Sequence, residues 1–270
     1  MLARLRVPWA FVMRDFRIEL SYKANFAMRT LGVLLNVATY YFIARVFGSV
    51  AAPYLRAYGG SYFAFVVIGV AFNSYLGVGI SALGDSIREG QSTGTLELML
   101  LSPTRLVTML LSSSLWSYLF AGLNVAVYLL AGAALGIQLD RANVPFALLS
   151  LAVAVLSFNA LGMCAASLLI LMKRGDPLGW AIRASSAVIG GVFYPMSVLP
   201  PWLHTLAQAL PTTHALELLR RSLLNGEGWA ELQGELLALA GLTVLLFPLG
   251  LLACRLAIHV ARVDGSLSHY

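Results

Sequence analysis

Ser86-Ile-Arg-Glu-Gly-Gln-Ser-Thr-Gly-Thr-Leu-Glu-Leu-Met-Leu-Leu-Ser-Pro103 is a polar island set between two apolar runs, and its reading decides the fold. On one side lie residues 62–83, on the other 106–137. Each run meets the roughly 20 apolar residues that a helix needs to cross a hydrocarbon core. The island mixes charge, glycine and a short amphipathic segment. It reads either as a surface gripped by a partner in the cytosol or as a solvated connecting loop, and the mixture favours the first.

Working outward, four further runs qualify as spans, over residues 27–47, 145–172, 178–198 and 236–258. The runs over 106–137 and 145–172 exceed what a bilayer requires, and tilt or extension into the cytosol absorbs the excess. Composition agrees. Of the 270 residues 59% are hydrophobic and 11% charged, against about 25% charged in a soluble domain. Mean hydropathy is +0.81. The expected fold is all-α: one transmembrane domain over 1–270 with six transmembrane helices.

The net charge of +6 does not point to nucleic acid, because the basic residues sit at the ends of apolar runs. With the N-terminus inside, all Lys and Arg except Arg45, Arg56, Arg141, Arg220 and Arg221 fall on the cytoplasmic side. That bias places both termini in the cytosol. Residues 1–25 do not read as a cleavable signal, since Arg4, Arg6, Arg14, Asp15, Arg17 and Glu19 interrupt any apolar core. Trp9, Phe11, Val12, Phe16 and Leu20 alternate with those charges, which predicts a helix along the inner headgroups or a solvated helical extension.

Residues 199–235 form the external segment. Pro200-Pro201-Trp202 opens a short helix that Pro211 ends, and a second helix carries Glu217 and closes at Asn225-Gly226. Two short apolar helices joined at a proline read as a re-entrant hairpin, or as a cap on the membrane surface. At membrane depth such backbone must be packed in protein or line a cavity.

Catalytic signatures are missing. The sequence has no P-loop, no Gly-x-Ser-x-Gly elbow and no His-Glu-x-x-His. The chain is therefore not expected to be an enzyme by itself or to hold a metal. His214 and Glu217 are three apart on a helix, but no third ligand is near in sequence. Cys164 and Cys254 read as small core hydrophobes. No acidic residue sits mid-span, which argues against ion-driven transport. Asn73 and Asn159 either line a path or pin helices together, with pinning preferred. Arg183 is expected to be the deepest charge, its head reaching back to the inner headgroups. Gly162–Ala166 is one of several small-residue pairs that permit close helix contact. In the island, Ser86-x-x-Glu89 fits a capping box. Gly94 frees the backbone before 95–101, and Ser102-Pro103 resembles the start of the next span. A short rigid helix between two bends results, with Arg88, Glu89 and Glu97 offered to a partner.

With these residues in view, the chain resembles the ABC type-2 exporter permeases. Arg88-Glu89, Gly94-Thr95-Leu96-Glu97 and Ser102-Pro103 carry the likeness in the first cytoplasmic loop, 85–104. Gly190-Gly-Val-Phe-Tyr-Pro-Met-Ser-Val-Leu-Pro-Pro-Trp-Leu203, Leu210-Pro211 and Ala215-Leu-Glu-Leu-Leu-Arg220 carry it again near the external segment. The resemblance implies a half-transporter of the bacterial inner membrane that pairs with a second protomer, as a homodimer, and binds two cytosolic ATPase subunits. ATP and Mg would be bound by that partner, with no cofactor in this chain. The loop helix would couple nucleotide closure to opening of the pathway for an amphiphilic, lipid-like or drug cargo. Polysaccharide or glycolipid export is the alternative, although the N-terminal motif usual in polysaccharide exporters is not seen. A membrane assembly subunit without transport is the other.

Overall fold

The computed structural model describes residues 9–10, 12–14, 16–17, 21–92, 106–172 and 176–263. Among them the regular structure is helical. In chain order the helices are α1 (Lys23–Ala51), α2 (Tyr62–Ser92), α3 (Leu106–Ala134), α4 (Val144–Met172), α5 (Pro177–Ile189), α6 (Pro201–Gln208), α7 (Pro211–Leu224) and α8 (Trp229–Val263). Five are long and apolar enough to cross a membrane: α1 with the 3-10 turn after it, α2, α3, α4 and α8. Their Leu, Val, Ala and Phe content continues around the whole helix. Leu31, Leu35, Phe42, Val46 and Val50 on α1 and Leu237, Val244, Leu245 and Leu256 on α8 are exposed. In water such surface would cost about 25 cal/mol per Å², so the bundle's solvent there is lipid or another protein.

The run over 178–198 departs from expectation. It forms no single spanning helix. α5 has 13 residues and reaches only about 20 Å at 1.5 Å per residue, short of the roughly 30 Å hydrocarbon core. The chain then turns through Gly191, whose φ of +77° is a left-handed conformation, open to glycine and costly for residues with a side chain. Pro195 follows in extended geometry before a single 3-10 turn, Met196–Val198. Hydropathy registers the apolar content of this stretch and is blind to the Gly-Gly break.

The island's first part also differs. α2 continues unbroken past Ser86 to Ser92, so Ser86 lies inside a helix rather than at the start of one, and Gly90 does not end it. Residues 93–105, with Gly94, Thr95, Leu96, Glu97, Ser102 and Pro103, lie outside the described residues.

α2 and α4 form the centre. α4 packs along α8 on one side and α2 on the other, and α2 packs against α3, with α1 outermost. α2 and α4 touch at Gly79 and Gly162. A Cβ on Gly162 would fall inside contact distance of the Gly79 carbonyl, and one on Gly79 would lie 2.8 Å from Phe158 Cβ and from Tyr118 Oη. α7 wedges between α2, α4 and α8. Its Ala215 and Leu218 join Leu76, Phe158, Leu232 and Leu239 in one buried cluster. Leu216, Leu219 and Leu223 join Phe63, Val67 and Ile68 in another.

Local signals set the shorter elements. Asp176 accepts a hydrogen bond from Gly179 N at 2.8 Å and Pro177 follows it, which starts α5. Asn143 caps α4 through Phe146 N at 3.2 Å. Gly226, at φ +75°, ends the turn after α7, and a Cβ there would collide with the Arg141 carbonyl.

Candidate functional site

Three features have the chemistry of a site. The first is the end of α2 at Arg88. Arg88 is exposed and lies 3.9 Å from Asp85 one turn earlier. Pairs of this kind on a helix surface contribute at most about 1 kcal/mol, so both charges stay available. Glu89 follows on the same helix. α2 therefore delivers the start of the island as a rigid extension of a membrane helix.

The second feature is a cavity of about 500 Å³ between α1, α2 and α3. Its wall carries Asn36, Ser74, Ser81 and Asn124, with Arg29 and Asp85 at the end nearer Arg88. Asn36 turns its amide onto the Gly32 carbonyl at 3.1 Å. An apolar groove of about 380 Å³ adjoins it, lined by Phe16, Lys23, Phe26, Trp116, Leu119, Phe120 and Leu123. Phe16 meets Trp116 edge-on at 5.5 Å, and Phe26 meets Phe120 at 6.0 Å. The first contact joins the segment before α1 to α3, and the second joins α1 itself to α3. Asn73 lies half-buried on α2. Asn159 donates to the Val155 carbonyl of its own helix at 2.8 Å, and its Oδ1 is buried. Tyr118 Oη, against Gly79, is likewise buried, with the Asn159 side chain as its polar neighbour. Neither asparagine shares the groove.

The third feature lies at the opposite end and centres on Arg220. Arg220 is 3% exposed. Its Nε donates to the Phe65 carbonyl at 3.1 Å, Nη1 to Gly191 at 2.6 Å and Nη2 to Val192 at 2.7 Å. Its guanidinium carbon stands 3.5 Å from the centroid of the Phe65 ring. One side chain thus satisfies carbonyls from the start of α2 and from the broken stretch after α5. Gly69 makes the space, since a Cβ there would overlap the guanidinium. A guanidinium keeps its charge even when buried, and here the three carbonyls and the Phe65 ring face surround it. Arg183, expected to lie deepest, instead forms an ion pair with Asp176 at 3.1 Å and is partly exposed. Arg220 is the more deeply buried charge.

Around it, Tyr58 donates to Glu217 Oε2 at 2.6 Å. Arg221 reaches Glu217 at 3.7 Å and Glu227 at 2.5 Å. Burial raises the Glu217 pKa, and the Tyr58 hydrogen bond and the arginines oppose that rise. His214 does not face Glu217 as a ligand pair. Its Nδ1 lies 2.6 Å from Glu235 Oε2 on α8, and its Nε2 lies 2.8 Å from the Gln208 carbonyl. Both neighbours are acceptors, so both ring nitrogens must donate and the ring is an imidazolium. The hydrogen bond to Glu235 raises its pKa accordingly. Among the described residues no group of three or more His, Cys, Asp or Glu side chains is placed to hold a metal. Pro200, Pro201 and Trp202 open α6, with Trp202 exposed, and Pro211 opens α7.

Five apolar spans, a broken helix and a buried α7 packed among them are the architecture of a membrane protein. The profile of the ABC-2 family transporter proteins matches residues 30–252. The chain belongs to that family. It is a membrane transporter permease, and permeases of this family typically work with ATPase subunits. No curated protein sequence matches it.

The Arg220 hub of this permease escapes a reading by loops and runs, which assigns Arg220 and Arg221 together to an external segment. A helical reading of 211–224 separates them. Arg220 falls four residues after Leu216 and three before Leu223, on the face that packs inward, while Arg221 points to Glu217 and Glu227.

Proposed function

We propose that this chain is the permease subunit of an ATP-driven exporter. It works as a homodimer with two cytosolic ATPase subunits and moves an amphiphilic or lipid-like substrate or drug out of the cytoplasm. The observation that carries the reading is the unbroken α2, which runs from the bundle's core through Arg88 to Ser92, in a chain of the ABC-2 family. A stiff helix transmits displacement from a docked partner, where a loop would absorb it. Residues 85–104 are then the coupling loop, with Arg88, Glu89, Gly94, Thr95, Leu96 and Glu97 against the ATPase, which binds ATP and Mg. The partner's cycle supplies the energy, in keeping with the absence of a P-loop from the sequence.

In this reading the protein sits in the bacterial inner membrane with both termini cytoplasmic. α5, the broken stretch and the α6–α7 hairpin complete a sixth crossing, and the hairpin is re-entrant from outside. Support comes from the packing: α7 lies among α2, α4 and α8, and Arg220 occupies carbonyls that lipid could not satisfy. Pro200, Pro201, Trp202, Pro211 and Glu217 belong to that hairpin. Asn159 on α4 and Asn73 on α2 are assigned a helix-pinning role in this reading; the Asn159 bond to the Val155 carbonyl of its own helix leaves its Oδ1 open to a second partner.

The test is uncoupling. Glu97→Lys and Gly94→Ile, each purified with the ATPase in nanodiscs, should retain insertion and basal ATP hydrolysis and lose export of a fluorescent phospholipid analogue. Wild-type stimulation and export in both variants would defeat the proposal.

A further inference from the structure

His214 stands at the elbow between α6 and α7. Gln208 is the last residue of α6, where helix carbonyls run out of backbone donors, and Pro211 three residues on has no N–H to offer. His214 Nε2 takes that place at 2.8 Å from the Gln208 carbonyl, while Nδ1 lies 2.6 Å from Glu235 Oε2 on α8. One ring on α7 thus ties the end of α6 to α8. We infer that His214 is a proton-operated latch on the α6–α7 hairpin: as an imidazolium it holds the α6 elbow in place, and as a neutral imidazole it releases α6 while α7 stays docked. The export reading enters only in expecting that release of α6 favours opening at this end of the molecule.

Three observations carry it. First, both neighbours are acceptors, so only the doubly protonated ring satisfies them together. A neutral ring donates once. The carboxylate is the stronger acceptor, so Nδ1 keeps its proton toward Glu235, and the lone pair of Nε2 then faces the Gln208 carbonyl. Second, α6 has little else to hold it. It packs chiefly on α5, on the 3-10 turn before it and on α7. Of its side chains only Ala207 is buried, and Trp202 and Leu206 are exposed. Elements with few buried contacts open first. α7 is buried along most of its length and does not follow. Third, protons reach the pair from solvent, because the Glu235 side chain is 39% exposed. The titratable groups that face the ring are Glu235 from α8 and Glu217 from α7 itself, and among the described residues none from α2, α4, α5 or α6 acts on it. Glu217 is engaged by Tyr58 of the turn Ala52–Tyr58 and by Arg221, and Arg221 also acts on Glu235. With its proton favoured above the ordinary 6.5, the latch is complete below that pH and opens as pH rises past the raised value.

The experiment uses the full chain in nanodiscs with no ATPase present, so its failure leaves the export reading untouched. Cys164 and Cys254 are replaced by alanine, and nitroxides are attached through Thr205→Cys on α6 and Gln233→Cys on α8, both at exposed positions. Double electron–electron resonance then reads the α6–α8 distance from acid to mildly alkaline pH. With His214 intact, one narrow distribution is expected below pH 6.5, and a second, longer one should grow as pH rises. His214→Gln should give a distribution that pH does not change. Glu235→Gln keeps the ring and removes the charge that holds its proton. Its midpoint should move down by about one pH unit, as for the loss of a charge-assisted hydrogen bond, and it decides the matter if His214→Gln does not fold. A distribution that ignores pH with His214 intact would overturn the latch. So would an unmoved midpoint in Glu235→Gln, or a pH response that survives in His214→Gln, which would assign it to Glu217. If α6 releases but the complete transporter exports the fluorescent phospholipid analogue no faster as the outside turns alkaline, the latch stands and its role in opening falls.

Discussion

Arg220 meets three carbonyls at once because a guanidinium is a flat fork of donors, and no other side chain has that shape. Lysine keeps the charge but presents a compact ammonium that cannot span Phe65, Gly191 and Val192 together. Arg220→Met removes the charge and leaves the carbonyls of a broken helix unpaired. Both variants should destabilise the permease, Met by about 2–4 kcal/mol on the cost of orphaned buried groups and Lys by less. Detergent-resistance melting with a fluorescent thiol probe or size-exclusion loss reads the difference; equal stability of all three proteins would mean the carbonyls are hydrated and the hub carries no load. His214 gives a second test. Its imidazolium form is held by Glu235 and the Gln208 carbonyl, with Glu217 also nearby. The folded pKa is raised above the ordinary 6.5, so the tie is fully present below about pH 6.5 and is lost as pH rises through the elevated value. The melting temperature should fall over that interval in the wild type, and His214→Gln should flatten the profile.

At the scale of elements, the crossing of α2 over α4 is fixed by absence of side chain. Gly162 rests against the Gly79 carbonyl, so any Cβ must push the helices apart. Gly162→Ala should cost about 1–3 kcal/mol, as overpacking does, and Gly162→Leu more, while membrane insertion of either is unchanged. Normal thermal stability in Gly162→Leu would show that the crossing is looser than the contact implies. The Gly162–Ala166 pairing was visible in the sequence, but its partner was not, because Gly79 is one of many glycines in α2 and spacing alone cannot say which two helices meet. Runs 27–47, 62–83, 106–137, 145–172 and 236–258 were legible because twenty apolar residues in a row have few other uses. The fifth run hid its break, since Gly190, Gly191 and Pro195 sit within apolar neighbours that hold the hydropathy high. α6 and α7 were legible through Pro201, Pro211 and Asn225-Gly226, which act locally. Arg220 was not, because its role depends on a carbonyl in α2 155 residues away.

For the whole molecule, everything functional turns on which end faces the cytosol. The Arg88 end carries the α2 extension and the charged lining of the cavity, Arg29 and Asp85. The Arg220 end carries the hairpin, the turn Ala52–Tyr58 and the salt bridges of Arg221. In the proposed reading the Arg88 end faces the cytosol, which the bias of basic residues favours, and a cytosolic ATPase would push on α2 only there. The orientation can be tested with two exposed positions at opposite ends, Arg88 and Arg56. The two native cysteines, Cys164 and Cys254, are first replaced by alanine, a change of small volume at positions inside helices. Arg56→Cys and Arg88→Cys are then introduced singly and exposed to a membrane-impermeant maleimide on intact spheroplasts. Cys at 56 should label without lysis and Cys at 88 only after it. The reverse pattern would put the α2 extension outside, beyond reach of any nucleotide-driven partner, and the coupling role of residues 85–104 would fall with it. Labelling of both from outside would mean that α2 does not cross, which the burial of its Leu76 and Ile80 with Ala154, Phe158 and Ala165 of α4 argues against, because α2 then lies along a helix that is itself long and apolar enough to cross.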